Sequence, residues 1–557
     1  MSAILPCLDW LPRYQPSWLK NDVVAGATLA TYAIPVSLAY ASLAGVPPHY
    51  GIYCYLVGGI CYATLGTSRQ LAIGPTAAIS MMVGTTVAPM AAGDQARWAA
   101  IAALTALLVA ILSGLAWLLR LSGLISFISE TILTGFKAGA ALTIGMTQLP
   151  KLFGVPAGGD DFFSKAWHLI SALGQTNGLV LTLGLSALAL LIAGERFVPG
   201  RPIALVVVVL AILLSALASL GDHGVAIVGD LPAGLPAFTR PALRVRDIDG
   251  VLPLAAACFL LSYVESVSAA RTLAAKHGYA ISPRQELLGL GFANFGAALL
   301  QGFPVAGGLS QSAVNDKAGA KTPLALVIAS AVIAICLLCL TGLLRNLPNV
   351  VLAAIVLVAV RGLFDVAALR RLWRISRFEF AVAMVALVGV LLLGILKGVL
   401  LAVVASLLVL LAAVARPHIA FLGRIPGTRR FSDLERHPDN ERAPGVLIFR
   451  VEGSLLYFNV EHVRDAVWLR IEADPSLRLV ICDLSNAPRV DLSGAAMLGT
   501  LCEDLEKRGM RLRIVEAHAN PRDLLRAAGL EERTGYFGRH ISVDQALAEC
   551  VEQESAT

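Results

Sequence analysis

Ile73-Gly74-Pro75-Thr76-Ala77-Ala78-Ile79-Ser80 is echoed 229 positions later by Gly302-Phe303-Pro304-Val305-Ala306-Gly307-Gly308-Leu309-Ser310, aligned on Pro75 and Pro304 with one insertion. Each stretch has Gly and Pro near its start, small residues next and a serine near its end. Proline suits the first turn of a helix, where the N–H it lacks would have no intrahelical acceptor. Each stretch therefore reads as extended backbone leading into a half-helix, with Gly74, Pro75 and Pro304 marking the starts. Both lie in long apolar surroundings, where non-helical backbone survives only when buried in protein or lining a polar cavity.

Those surroundings are a membrane protein's. Of 557 residues, 57% are hydrophobic and 15% charged, with a mean hydropathy of +0.73. Soluble domains carry roughly 25% charged residues. A soluble enzyme, a disordered chain, a collagen and a disulfide scaffold are excluded. The net charge of +6 does not point to nucleic acid, because the basic residues are scattered through short loops. Apolar segments run from about Val23 to Val414 and divide into about fourteen. Several are too short, or too broken by Gly and Pro, to be simple spans of ~20 residues. An odd number of segments separates the two Gly-Pro stretches, so the second half is inverted relative to the first. Secondary transporters use this arrangement to bring discontinuous helices together at the bilayer midplane. Arg69, Arg120, Arg196, Arg201, Lys276, Arg284, Lys317, Lys321, Arg370, Arg371, Arg374 and Arg377 fall in loops on one side. The positive-inside rule then places both termini in the cytoplasm, with Arg240, Arg244 and Arg246 a local exception in a longer loop.

Two helix N-termini aimed at one point each present unpaired N–H groups and about half a positive charge. The guest they suit is an anion; the alternative is a pair of proline-kinked spans with ordinary packing. Glu265 lies inside CFLLSYVESVSAARTLAAKHG. A carboxylate near the midplane costs roughly 2.5–3.5 kcal/mol on insertion scales, so it faces a partner or a cavity. Desolvation favours its neutral form, which makes it a candidate proton carrier. The alternative is a packing carboxyl, and Arg271 is its nearest cation in sequence. Nine cysteines include the CxxC pair Cys336 and Cys339, set in LALVIASAVIAICLLCL without a second pair or a nearby histidine. They read as buried hydrophobes, and no metal site is expected. No GxxxxGK[ST] or HExxH occurs, so neither an ATP-driven pump, an enzyme nor a cofactor is expected. The opening MSAILPCLDWLPRYQPSWLKND lacks the features of a signal peptide.

Residues 1–22 read as a cytoplasmic segment and 23–415 as the membrane region. The charged RPHIAFLGRIPGTRRFSDLERHPDNERAPG, 416–445, reads as a linker. Residues 446–557 read as a small α/β domain, with strands at Val446–Val451, Leu477–Asp483 and Arg511–Val515 and helices at Glu461–Ile471 and Gly494–Arg508. A fragment starting near residue 440 is expected to fold alone.

Several stretches match a known family. IPVSLAYASLAGVPPHYGIY, GTSRQLAIGP, RTLAAKHGYAISPRQELLGLGFANFGAALLQGFP and GLSQSAVNDKAGAKTPL resemble signatures of the sulfate permease (SulP) family, relatives of the animal solute carrier family 26 anion transporters. VICDLSNAPRVDLSGAAMLG is similar to a STAS domain. The resemblance implies seven-plus-seven inverted repeats and a core domain moving against a gate domain. It also implies a multi-pass protein of a bacterial inner membrane, a homodimer, and a cytoplasmic protein partner at the STAS domain. A small anion would sit between the third and tenth spans, near Tyr40, Thr76, Ala77, Gly307, Gly308, Leu309, Ser310 and Gln311. The Glu265 position is linked in the family to proton coupling; sodium is the rival coupling ion. Two residues depart from the pattern: Val36 stands where relatives commonly have Gln, and Gln311 where many have Arg. That makes the pocket less electropositive and leaves sulfate, bicarbonate and dicarboxylates open. An uncoupled channel or exchanger and a membrane sensor with the STAS domain as output are the other readings. Ser493 falls where related antagonist proteins carry a phosphorylated serine; the alternative is a helix N-cap.

Overall fold

The computed structural model describes residues 5–125, 130–198, 202–241, 244–538 and 541–555. Arg201 of the basic-loop reading lies outside them. The chain forms two compact units, Met1–Ser406 and Leu407–Thr557.

Among the described residues, fourteen helices account for the apolar region: α1 Leu19–Leu43, α2 His49–Leu65, α3 Ala77–Ala91, α4 Gln95–Leu118, α5 Glu130–Phe153, α6 Gly178–Phe197, α7 Ile203–Leu217, α8 Val245–His277, α9 Pro283–Leu299, α10 Leu309–Lys317, α11 Leu324–Cys339, α12 Asn349–Arg361, α13 Arg377–Leu393 and α14 Ile395–Ala415. Their apolar content explains most of them. The best 18-residue stretches of α4 and α14 reach mean hydropathies of 2.4 and 2.9, enough to cross a bilayer. By contrast α10 has nine residues, less than half a span. Amphipathic helices at Phe162–Ala172 and Val366–Ile375 lie between the apolar ones. Two groups emerge from the packing. α1–α4 pack with α8–α11, and α5–α7 pack with α12 and α13. Where α5 meets α13, a Cβ on Gly135 would collide with Ala383 O, so only glycine allows the approach.

Strand β1, Ile73–Gly74, precedes α3, and β2, Ala306–Gly307, precedes α10. They pair antiparallel, Ile73 with Gly307 and Gly74 with Ala306. The strands occupy the same place in each set of seven and run in opposite directions, as an inverted repeat demands.

The second unit has a five-stranded sheet in the order β4-β3-β5-β6-β7. Its strands are β3 Ile419–Arg424, β4 Phe431–Asp433, β5 Val446–Val451, β6 Leu479–Asp483 and β7 Arg511–Val515. Helices α15 Val460–Glu472, α16 Leu492–Lys507, α17 Ala519–Ala527, α18 Leu530–Thr534 and α19 Val543–Ser555 complete it. Successive strand residues point to opposite faces. Phe449 and Val480 join Val467 and Leu498 in one core, while Ile448 and Ile481 join Leu547 in another. The stretch 416–445 is not a linker: it carries β3 and β4, and β3 lies between β4 and β5. A fragment starting near residue 440 would lack both strands. Residue 22, the last of the stretch read as a cytoplasmic segment, lies within α1. Asp22 is fully buried in α1 and accepts from Lys321 N at 2.7 Å, Thr322 N at 3.1 Å and Thr322 Oγ1 at 2.7 Å.

Candidate functional site

The crossing of β1 and β2 is irregular backbone within an apolar bundle, so each buried N–H and C=O needs a partner. Side chains supply them. Asn294 of α9 takes both polar groups of Val305, accepting from its N–H at 2.9 Å and donating to its carbonyl at 3.1 Å. Ser262 of α8 also donates to Val305 O, and Ser266 accepts from Gly307 N at 2.7 Å. Ser312 accepts from Ala72 N at 2.9 Å and donates to Gly308 O at 2.7 Å. Asn315 donates to Gln70 O. Glycine lets β1 lie against α2: a Cβ on Gly74 would collide with the Tyr55 ring.

The helices begin later than the prolines. α3 starts at Ala77 with Thr76 as N-cap, and α10 at Leu309 with Gly308 as N-cap. Pro75 and Pro304 therefore sit in the extended arms rather than in a first helical turn, and Gly74 belongs to β1. The strand pairing also shifts the repeat. Its two-fold symmetry makes Ile73 the counterpart of Ala306 and Gly74 that of Gly307, four residues from the proline-based alignment. Counted from the helix caps instead, one residue off the strand register, Thr76 matches Gly308 and Ser80 matches Ser312, each serine four residues past its cap.

Thr76 and Ala77 are buried at the head of α3, and Tyr40 is buried on α1. Thr76 Oγ1 lies beside the Glu265 carboxyl yet completes no hydrogen bond. Ser80 Oγ, fully buried one turn on, has no partner either. Glu265 is half-buried on α8, close enough to Tyr40 for their charges to interact. The cation acting on Glu265 is Lys137 of α5, not Arg271. Leu309 and Ser310 are exposed, and Ser310 lines a cavity of about 600 Å³. Tyr32, Val36, Glu195, Arg196, Lys317 and Arg361 line it too, with Glu195 and Arg361 paired at 3.2 Å. A second cavity, of about 310 Å³, lies at the other end of α1, against Ala39, Ser42, Gln148, Lys151 and Asn349. Gln311 is buried and committed to the scaffold. Its Nε2 donates to Ala72 O at 2.9 Å and Ala306 O at 3.0 Å, and its Oε1 accepts from Tyr55.

In the second unit, Asp491 rather than Ser493 caps α16, accepting from Gly494 N at 2.9 Å. Ser493 is exposed in the first helical turn. Residue-by-residue reading of the sequence missed Lys137, Ser80, Ser266, Asn294 and Ser312. Lys137 carried a signal: a charge within TGFKAGAALTIG obeys the same rule that singles out Glu265.

Fourteen helices in two inverted sets, with half-helix arms paired between them, define a class of multi-pass membrane transporter. The sulfate permease family profile matches residues 19–386 and the STAS domain profile residues 437–543. The chain belongs to the sulfate permease family and carries a C-terminal STAS domain. It is 36% identical over 542 residues to a probable sulfate transporter of Mycobacterium tuberculosis, covering 96% of this chain and 97% of that protein. High affinity sulfate transporter 1 of Stylosanthes hamata is 30% identical, with 98% and 86% covered. Among solved structures, the murine solute carrier 26 family member A9 anion transporter in the inward-facing state superposes with a TM-score of 0.89 at 25% identity, covering 98% of this chain and 94% of that one. The transmembrane domain of the cyanobacterial bicarbonate transporter BicA gives 0.61 at 22% identity over 71% of this chain and 98% of that one, a likeness of fold alone.

Proposed function

We propose that the protein is a secondary active transporter of small inorganic or carboxylate anions, coupled to protons through Glu265 and working by elevator-like alternating access. The observation that carries this reading is the pairing of β1 with β2, which brings the N-termini at Thr76 and Gly308 together beside a half-buried carboxyl. Unpaired N–H groups and helix dipoles there favour an anion. The unpartnered hydroxyls of Thr76 and Ser80 are further donors for it. Tyr40, Ala77, Gly307, Leu309 and Ser310 complete the surroundings. Sulfate is the first substrate to test, because the curated relatives are named for it; bicarbonate and dicarboxylates follow. The two helix groups, and cavities at both ends of α1, support movement of one group against the other. Cytoplasmic termini, a bacterial inner membrane, a homodimer and a regulatory Ser493 belong to the same reading.

A carboxyl that is neutral when the pocket fills ties one proton to one anion. Glu265→Gln mimics that neutral form, so it retains binding and exchange but loses acceleration by an inward proton gradient. Sodium coupling is the second reading, favoured by the Thr76 hydroxyl beside the Glu265 carboxyl, both hard oxygen ligands. It predicts sodium dependence that the same substitution destroys. Uptake of labelled anions into proteoliposomes, with and without proton and sodium gradients, separates the two. Full pH-driven uptake by the glutamine variant would refute proton coupling through Glu265.

A further inference from the structure

The mechanism above gives no role to a charge that the membrane core holds at a cost: Lys137. Insertion scales put a lysine at a helix centre at roughly 2.5–3.5 kcal/mol, so its retention calls for a partner. Two helix faces fix where it points. Successive residues turn by about 100° around a helix axis. Gly135 and Gly139 lie against Ala383 and Leu387 of α13, which sends Lys137 to the far side of α5. There Leu133 and Phe136 share an apolar cleft with Leu261 and Val264 of α8. On α8, Glu265 falls between that cleft-lining stripe and the Ser262–Ser266 stripe that holds β2. Lys137 and Glu265, each next in sequence to a cleft residue, thus lie on the same edge, where α5 of one helix group faces α8 of the other, within charge-interaction range and without a direct ion pair. The field of Lys137 acts on Glu265 across this edge.

Several other charged groups on α8 are engaged elsewhere, and Arg271 is exposed and acts on Tyr263. Asp247, near its start, pairs with Arg97 of α4 at 3.4 Å. Lys276 and His277, at its end, both bind Asp316 of α10. Tyr263 donates to Pro283 O. Facing Glu265 itself are Tyr40 from α1, Thr76 from α3 and Lys137 from α5.

We propose that Lys137 is the exchangeable counter-charge of the pocket: its ammonium neutralises Glu265 when no anion is present and binds the transported oxyanion when one enters. One cation cannot satisfy two anions at low dielectric. The arriving anion therefore displaces the carboxylate, which remains beside it only by taking a proton from solvent. This deepens the proton-coupled reading above and rests on it for the role of Glu265, though not for anion binding by Lys137. It also places half of the site on α5, so the pocket is complete only when the two helix groups are together.

The test is uptake of radiolabelled sulfate and bicarbonate into proteoliposomes by K137Q, K137M, K137R, E265Q and K137Q/E265Q, at acidic and neutral external pH. Thermal unfolding of each purified variant is measured alongside. Removing the cation should raise KM by about 10- to 100-fold, the value of a hydrogen bond to a charged group. K137R should keep the parental pH profile. E265Q should lower KM, because Lys137 is then free for the anion. In K137Q/E265Q the repelling carboxylate is gone too, so KM should fall below that of K137Q. A packing lysine predicts the opposite: additive losses in the double variant and a lowered unfolding midpoint in K137Q and K137M. That result, or a parental KM in both single variants, overturns the proposal. If E265Q keeps its pH response while K137Q raises KM, proton coupling fails and the anion-binding role of Lys137 stands.

Discussion

The two arms of the crossing have matching backbones and opposite polar economies. In the β2–α10 arm the strand backbone is engaged, Val305 by Asn294, Gly307 N by Ser266 and Gly308 O by Ser312, and the one buried side-chain atom without a partner among its described residues is Asn315 Oδ1. In the β1–α3 arm Ser80 Oγ is buried with no partner, and Thr76 Oγ1 has only the Glu265 carboxyl beside it. The sharpest contrast is between counterparts, since Ser312 makes two hydrogen bonds where Ser80 makes none. A buried hydroxyl without a partner costs about 1–3 kcal/mol. On the function proposed above, the arm whose hydroxyls are left unpaired serves guest recognition and the other holds the junction together.

Four substitutions test this division. The largest loss is expected for Gln311→Ala, which strips donors from Ala72 O and Ala306 O and leaves the Tyr55 hydroxyl unpaired. Roughly 3 kcal/mol or more of stability should go, read as a lower unfolding midpoint in detergent. An unchanged midpoint with a raised KM would return Gln311 to the role of anion ligand. Ser312→Ala should cost about 1–2 kcal/mol by freeing Ala72 N, again a stability effect measured by unfolding. Ser80→Ala and Thr76→Val should reverse the pattern, with midpoints unchanged or raised by up to ~1 kcal/mol, because an unpaired polar group is removed. Their KM should rise about tenfold, and equal stability losses in Ser80→Ala and Ser312→Ala would erase the difference between the arms. Asp433→Asn, far from the arms in sequence, is the control and should leave uptake unchanged. Burial raises the Asp433 carboxyl, but Glu435 N and His418 outweigh it and hold it below its usual value. Its stabilisation is therefore present above pH ~4 and lost on acidification below that. Hydrogen exchange in β3 and β4 should increase there in the parent, and the variant should lack that step.

Much of this was legible in sequence. Hydropathy gave the membrane class, and inversion followed from counting segments between two Gly-Pro stretches. β5 and β7 fall where alternation and apolar runs predict them. Proline misled the finer alignment, because it marks a local φ and says nothing about pairing across 229 positions. The apolar Ile419–Leu422 is a buried strand hidden among charges, which paired as His418–Asp433 and Arg424–Asp544 rather than remaining solvated as linker charges do. Gln311 looks like a ligand from its place after Ser310. Its true partners, Tyr55 and Ala72, lie more than 230 residues away, beyond the reach of any local pattern.

The same separation constrains biosynthesis. Ile73 pairs with Gly307, which is 307 − 73 = 234 residues downstream. Translation at ~5–20 residues per second delivers that partner roughly 12–47 seconds later. During that interval the first arm exists without its strand partner, without Ser312 for Ala72 N and without Gln311 for Ala72 O. Its backbone must stay hydrated or be held by other chains at the insertion machinery. A chain stalled before the tenth segment therefore exposes unpaired backbone at the first arm, which gives quality control a physical feature to recognise.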